Sequence, residues 1–209
     1  MKPIFITGTG TDVGKTLVAA IVTEALQADY WKPVQAGYEQ GTDSLWVKEM
    51  ISNKKSVIHP EAYKLKMAAS PHLAGIAEQN KIVLKNIISH LPKTKNRLII
   101  EGAGGLMVPL NKKKFIPDLI KKLKARVIIV SKNELGSINH SMLTAMVLKK
   151  EKINVAGWIF NEEYLNYEND IKKWSGYPII ASVKHLEKIS KETIKDEAEK
   201  MKYNLEKFL

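Results

Sequence analysis

Cysteine is absent from the chain, which excludes disulfides, thiolate metal sites and thiol nucleophiles. Arginine is nearly absent: Arg97 and Arg126 are the only two, so lysine carries the formal charge of +11. Base-reading surfaces rely on the bidentate guanidinium fork. Scattered lysines in small groups, such as Lys112-Lys113-Lys114 and Lys121-Lys122, read instead as a solvated surface that also attracts anionic substrates. No nucleic-acid partner is expected. Long apolar runs are missing too, and nothing approaches the roughly 18 residues that span a bilayer. Met1-Lys2-Pro3-Ile4-Phe5 enters a strand-like run at once, without the apolar stretch and small-residue cleavage site of a secretory signal. The expectation is a cytoplasmic protein with no membrane partner. Repeats, linkers and low-complexity blocks are also lacking, so the 209 residues read as one domain, 1–209.

What is present is an alternation of two periods. Ile4–Thr7, Tyr30–Val34, Leu98–Ile100, Val127–Val130, Val155–Phe160 and Ile179–Val183 are short apolar runs rich in β-branched and aromatic residues, and read as strands. Leu17–Gln27, Ile116–Lys124, Ile138–Lys150 and Tyr164–Trp174 space their apolar residues as helices. Such alternation predicts an α/β fold with a mostly parallel central sheet and helices on both faces. Residues 41–91 contain more helix than strand and read as an excursion between two sheet strands. The segment Ser190–Leu209 reads as a charged terminal helix.

The strongest chemical signal is Gly8-Thr9-Gly10-Thr11-Asp12-Val13-Gly14-Lys15-Thr16. It follows the first strand and opens the first helix, the setting in which a phosphate-binding loop works. Glycines let backbone N–H groups wrap an anion, and the helix N-terminus adds a favourable dipole. Lys15 can reach the terminal phosphates, and the Thr16 hydroxyl can ligate Mg²⁺. The strict pattern wants glycine at position 9; this chain has Thr9, with Gly8 one residue earlier, so the loop is a variant. The fold expectation sharpens to that of a P-loop NTPase using Mg²⁺ and ATP.

Mg²⁺ needs further oxygen ligands, usually carboxylates. Glu101 ends the strand Leu98–Ile100, at the carboxyl edge where open α/β sheets bind ligands. Gly102-Ala103-Gly104-Gly105 behind it permits close backbone approach. Asp43, in Gly41-Thr42-Asp43-Ser44, reads equally as a helix-cap residue. Lys32 sits at the end of the second strand, where a charge among apolar neighbours is expensive without an anionic partner.

These pieces together resemble the dethiobiotin synthetase family. The likeness runs through the phosphate loop, Lys32-Pro33-Val34-Gln35, Asp43 and Ser70-Pro71-His72. It continues through Glu101-Gly102-Ala103-Gly104-Gly105, Leu135-Gly136-Ser137-Ile138-Asn139-His140 and Gly157-Trp158-Ile159 with Asn161. The resemblance implies a homodimeric enzyme that joins CO₂ to 7,8-diaminopelargonic acid and closes a cyclic urea while ATP becomes ADP and phosphate. It implies catalytic roles for Lys15, Lys32 and Thr11, and metal ligation by Thr16, Asp43 and Glu101. The nucleotide would lie against Asp12, Val13, Gly14, Lys15, Thr16 and Leu17, with Asp43, Glu101, Gly102, Ala103 and Gly104 nearby and Asn161 at the adenine edge. Ala36 would face the substrate, and Gly136, Ser137, Ile138 and Asn139 would receive its carboxylate across the dimer interface.

The chain departs from the family pattern at three places. Ala36 stands where a hydroxyl residue is common, Asp12 where glutamate is common, and Lys184 where the adenine segment often has a proline. Two other readings compete. Glutamine-dependent amidase-ligases need a nucleophilic cysteine, which is lacking. Partitioning-type P-loop ATPase switches carry a second lysine at the position of Gly10.

Overall fold

A seven-stranded sheet forms the middle layer of the computed structural model, which describes residues 1–209. In chain order the elements are β1 (Ile4–Gly8), α1 (Lys15–Leu26), β2 (Asp29–Trp31), β3 (Val34–Ala36), α2 (Asp43–Met50), β4 (Ile58–His59), β5 (Tyr63–Leu65), α3 (Pro71–Ala77) and α4 (Leu84–Ser89). There follow β6 (Leu98–Gly105), α5 (Ile116–Leu123), β7 (Arg126–Lys132), α6 (Ser137–Lys150), β8 (Val155–Asn161), α7 (Glu168–Ser175), β9 (Ile179–Val183) and α8 (Lys191–Phe208). The sheet order is β4-β2-β6-β1-β7-β8-β9, and each neighbouring pair is parallel.

Strand alternation divides the core into two apolar layers. Phe5, Trp31, Ile100, Ile129 and Trp158 point to the side covered by α3 to α7. Ile4, Ile6, Tyr30, Ile99 and Ile128 point to the side covered by α1, α2 and α8. The terminal helix is amphipathic: Ile194, Ala198, Met201 and Leu205 are buried against the α1 layer. Its start is fixed by Ser190, whose hydroxyl accepts from the Thr193 N–H.

Three boundaries differ from the sequence expectation. The run Tyr30–Val34 is not one strand. Pro33 has no N–H to offer a ladder, and the chain breaks there into β2 and β3. The Pro33 carbonyl then accepts from the N–H groups of Ala62 and Tyr63, starting a small separate sheet in which β3 pairs with β5. The strand holding Glu101 does not end at Ile100. It runs on through the glycines to Gly105, which pairs with Gly8 after a register shift. The helix expected from Tyr164 begins at Glu168.

Candidate active site

β1 lies between β6 and β7, so the chain leaves it at the point where connections diverge to the two halves of the sheet, the place such sheets bind ligands. The loop after β1 is tied down on both sides. Thr9 N–H donates to the Val130 carbonyl at 3.0 Å, and Leu106 N–H donates to the Gly8 carbonyl at 3.2 Å. Gly14 adopts φ +90°, a left-handed conformation that opens α1. A Cβ there would lie 2.3 Å from Asn161 Nδ2, so both backbone and space call for glycine.

Above this loop is a cavity of about 720 Å³. Of the residues singled out from sequence, Thr11, Asp12, Gly14, Lys15, Thr16, Leu17, Lys32, Ala36, Asp43, Glu101, Ala103 and Gly104 line it. The remainder of its wall includes Gln35, Ala68, Ala69, Ser70, Pro71 and Val108. Five separate stretches of chain therefore converge, and four of them supply charged groups.

Glu101 is the hub. It is 1% exposed, and its Oε1 accepts from Lys32 Nζ at 2.8 Å and from the Thr16 hydroxyl at 2.9 Å. Its Oε2 accepts from the Tyr30 hydroxyl at 2.7 Å. Lys32 also pairs with Asp43, so the buried ammonium that lacked a partner in the sequence has two carboxylates. Burial alone would push Lys32 down, but the charges of Glu101 and Asp43 outweigh it and hold the ammonium above its ordinary pKa. Lys15 donates to the Gly10 carbonyl at 2.8 Å. Burial pushes it below its ordinary value; Glu101 opposes that and Lys32 adds to it.

Asp43 is the first residue of α2. The cap is Thr42, whose hydroxyl accepts from Leu45 N–H. Asp43 is thus left to face Lys32, and its own N–H donates to Gln35 Oε1 at 3.3 Å.

The other sequence candidates lie outside the cavity wall. Val13 is buried beneath the loop. Gly102 packs where a Cβ would meet Phe5 Cε1 at 2.8 Å, a close approach that only glycine allows. Asn161 is buried behind the loop, and its Nδ2 donates to the Val13 carbonyl at 3.3 Å. Gly136, Ser137, Ile138 and Asn139 form the start of α6, and none of them lines this cavity. Two contributors were not legible as site residues. Tyr30 reads as an apolar strand residue until the register of β2 on β6 is known, and Gln35 reads as one more residue of the Lys-Pro motif.

The sheet order, loop and carboxylate hub can be set beside proteins already described. A family profile described as an AAA domain matches residues 2–193. The chain is 52% identical over 197 residues to the "ATP-dependent dethiobiotin synthetase BioD" of Cytophaga hutchinsonii, covering 93% of this chain and 94% of that one. It is 46% identical to the protein of the same name from Christiangramia forsetii, over 98% of both chains. Among solved structures, the cell division ATPase MinD of Pyrococcus furiosus superposes over 100% of both chains with TM-score 0.62 at 15% identity. A ParA family ATPase from Chlorobium tepidum gives TM-score 0.57 at 14% identity, over 99% of this chain and 92% of that one. At such low identity those likenesses speak to the fold, a P-loop α/β sheet. The first two relatives match at far higher identity and nearly end to end, and by that likeness the chain belongs to the ATP-dependent dethiobiotin synthetase family.

Proposed function

We propose that the protein uses Mg-ATP to join CO₂ to 7,8-diaminopelargonic acid and close the cyclic urea of dethiobiotin, releasing ADP and phosphate. The observation that carries this reading is the meeting of Lys32, Asp43, Glu101 and Thr16 at the mouth of the phosphate loop. The relatives' names supply the substrate class; the site supplies the means. One substrate amine captures CO₂ as a carbamate. A carbamate oxygen attacks the γ-phosphorus and ADP departs. The second amine then attacks the carbamoyl carbon and phosphate leaves, taking away the oxygen that made the carbamate a poor electrophile.

Most of the work left to the protein is positioning and charge neutralisation. Lys15 and Lys32 oppose the negative charge of phosphates and carbamate, and Thr11 meets the γ-phosphoryl end. The walls from Asp12 to Leu17 hold the nucleotide, with Ala103 and Gly104 opposite. Asn161, anchored to the loop through Val13, retains Oδ1 as an acceptor toward the adenine. Ala36 faces the substrate without a hydroxyl.

The donor set suits Mg²⁺. Thr16, Asp43 and Glu101 are hard oxygen ligands, and the Lys32 ammonium already touches both carboxylates, so one cation can be reached by both. When bound, Mg²⁺ supplies charge neutralisation at the β- and γ-phosphate oxygens.

A homodimer belongs to the same proposal. Leu135, Ile138, Leu143 and Met146 present exposed apolar side chains at and along α6, with Leu135 87% exposed. An apolar patch of this kind marks an interaction surface. Pairing there would carry Gly136, Ser137, Ile138 and Asn139, with the free N–H groups of the helix start, toward the substrate carboxylate of the partner subunit. No helix is long and apolar enough to cross a membrane, and we place the reaction in the cytoplasm with residues 1–209 acting as one unit.

The test is ADP release by purified protein with Mg²⁺ and bicarbonate, with and without 7,8-diaminopelargonic acid. The expected result is turnover only with the diamine, with a product heavier than it by CO₂ less water. Hydrolysis indifferent to the diamine would overturn the substrate assignment and favour a partitioning-type switch.

A further inference from the structure

Tyr30 belongs to none of the motifs that identify the family, yet its hydroxyl reaches the carboxylate hub. The ring is fully buried in the core layer under α1, among residues that include Ile6 and Ile99. β2 and β6 pair in parallel with Tyr30 opposite Ile99. By alternation Tyr30 and Lys32 face the same side as Glu101, and each takes a different oxygen of it: Lys32 takes Oε1 and Tyr30 takes Oε2. The last torsion of a glutamate side chain is broad and roughly two-fold. Left alone, the carboxylate can turn and offer either oxygen, or both, to a cation. The phenol removes that freedom, since Oε2 is committed to a 2.7 Å bond inside the core.

We propose that Tyr30 is a positioning residue that fixes the Glu101 carboxylate so that only Oε1 is presented to Thr16, Lys32 and the divalent cation. This rests on the Mg-ATP reading of the site. Groups that orient a metal ligand without touching the metal commonly set its affinity, and Tyr30 acts on the reaction in that indirect way. A hydroxyl kept only to fill the core would have no such effect, because phenylalanine fills the same space.

Tyr30→Phe separates the two roles. The direct readout is Mn²⁺ binding in the presence of ADP, followed by the electron paramagnetic resonance signal of free Mn²⁺. A Mg²⁺ activation curve of ligase turnover accompanies it. Tyr30→Phe is expected to weaken Mn²⁺ binding about tenfold and to shift the activation curve to higher Mg²⁺, with most of the turnover recovered at saturation. Ile99→Val, which trims the same core layer without touching the phenol, should lower the melting temperature and leave Mn²⁺ affinity unchanged. Mn²⁺ affinity in Tyr30→Phe within twofold of wild type would overturn the proposal. So would failure of Tyr30→Phe to fold, because the hydroxyl would then be serving the core. If wild type itself binds no Mn²⁺ with ADP, the Mg-ATP reading fails rather than this one.

Discussion

The ammonium of Lys32 stands 2.8 Å from Glu101 Oε1, the same oxygen that takes the Thr16 hydroxyl hydrogen at 2.9 Å. A single buried atom thus joins the chain beyond β2, the middle of β6 and the first turn of α1. Any change in one of these stretches is felt at the other two.

Lys32→Ala leaves the Asp43 and Glu101 carboxylates close together without the cation between them. Ligase turnover should fall by at least about 10²-fold, roughly 2.7 kcal/mol of lost transition-state stabilisation, while ADP binding, which depends on the loop and Lys15, changes much less. Lys32→Arg should not restore it, because the planar fork needs more room than the ammonium. Product formation and a nucleotide titration check both claims. Wild-type turnover in Lys32→Ala would remove this residue from the reaction.

Gly14→Ala combines a strained backbone at φ +90° with a contact of 2.3 Å to Asn161 Nδ2. The strain alone costs about 1–3 kcal/mol, which at about 2–4 °C per kcal/mol lowers the melting temperature by several degrees. Protection by Mg-ADP should be lost as well. Adding Asn161→Ala relieves the contact and not the φ angle, so it should recover only part of the melting temperature. Full recovery would show that the backbone tolerates alanine.

Glu24, on α1, accepts hydrogen bonds from Ser52 N–H at 2.8 Å, Ser52 Oγ at 2.6 Å, Asn53 N–H at 3.1 Å and Asn53 Nδ2 at 2.9 Å. Burial opposes the charged form, but these bonds outweigh it and hold the carboxyl below its ordinary range. A depressed carboxyl contributes stability that is present above the unfolded pKa of about 4.3 and lost as pH falls through the lower folded value. Glu24→Gln should therefore be less stable near neutrality, by about 1–3 kcal/mol, with the gap to wild type narrowing below about pH 4.3. Urea unfolding across that range measures it; a gap that widens in acid contradicts the assignment.

Leu143→Glu combined with Met146→Glu places two charges on the exposed apolar face of α6. If that face joins two copies, sedimentation should shift from dimer to monomer with little change in melting of the chain itself. Diamine saturation should weaken sharply, because the start of α6 no longer reaches the partner's substrate. A dimer that survives both charges would place the interface elsewhere.

Much of this was legible in the sequence, for identifiable reasons. Gly14-Lys15-Thr16 at a strand–helix junction has one economical use, and the alternation of periods gave the sheet and its covering helices. Lys32 was marked by the cost of burying a charge. Partner identity was not legible, because Asp43 and Glu101 are brought to Lys32 by tertiary contact. That the strand continues past Glu101 was not legible, since glycine is a poor strand former; here β6 runs alongside β1 to Gly105, and a Cβ on Gly102 would meet Phe5 of β1. The β3–β5 pair rests on three residues from each strand, too few to announce themselves. Tyr30 was hidden because a tyrosine in an apolar run is ordinarily core, and only the strand register reveals which way its hydroxyl points.

The segment between β2 and β6 leaves the sheet next to Lys32, touches its edge again only as β4, and rejoins it as β6, where Glu101 meets Lys32. It works as a handle clasped at its base by an ion pair. The clasp and the phosphate loop carry the charge chemistry, whereas Ala36, Ala68, Ala69, Ser70 and Pro71 on the handle make one wall of the cavity. Asp43 lies on the handle as well and pairs with Lys32, so it is the wall at Ala36 and residues 68–71, and not the whole handle, that stands apart from the charged groups. A redesign that rebuilds only residues 68–71 to admit a different diamine can leave Lys32, Asp43 and Glu101 in place.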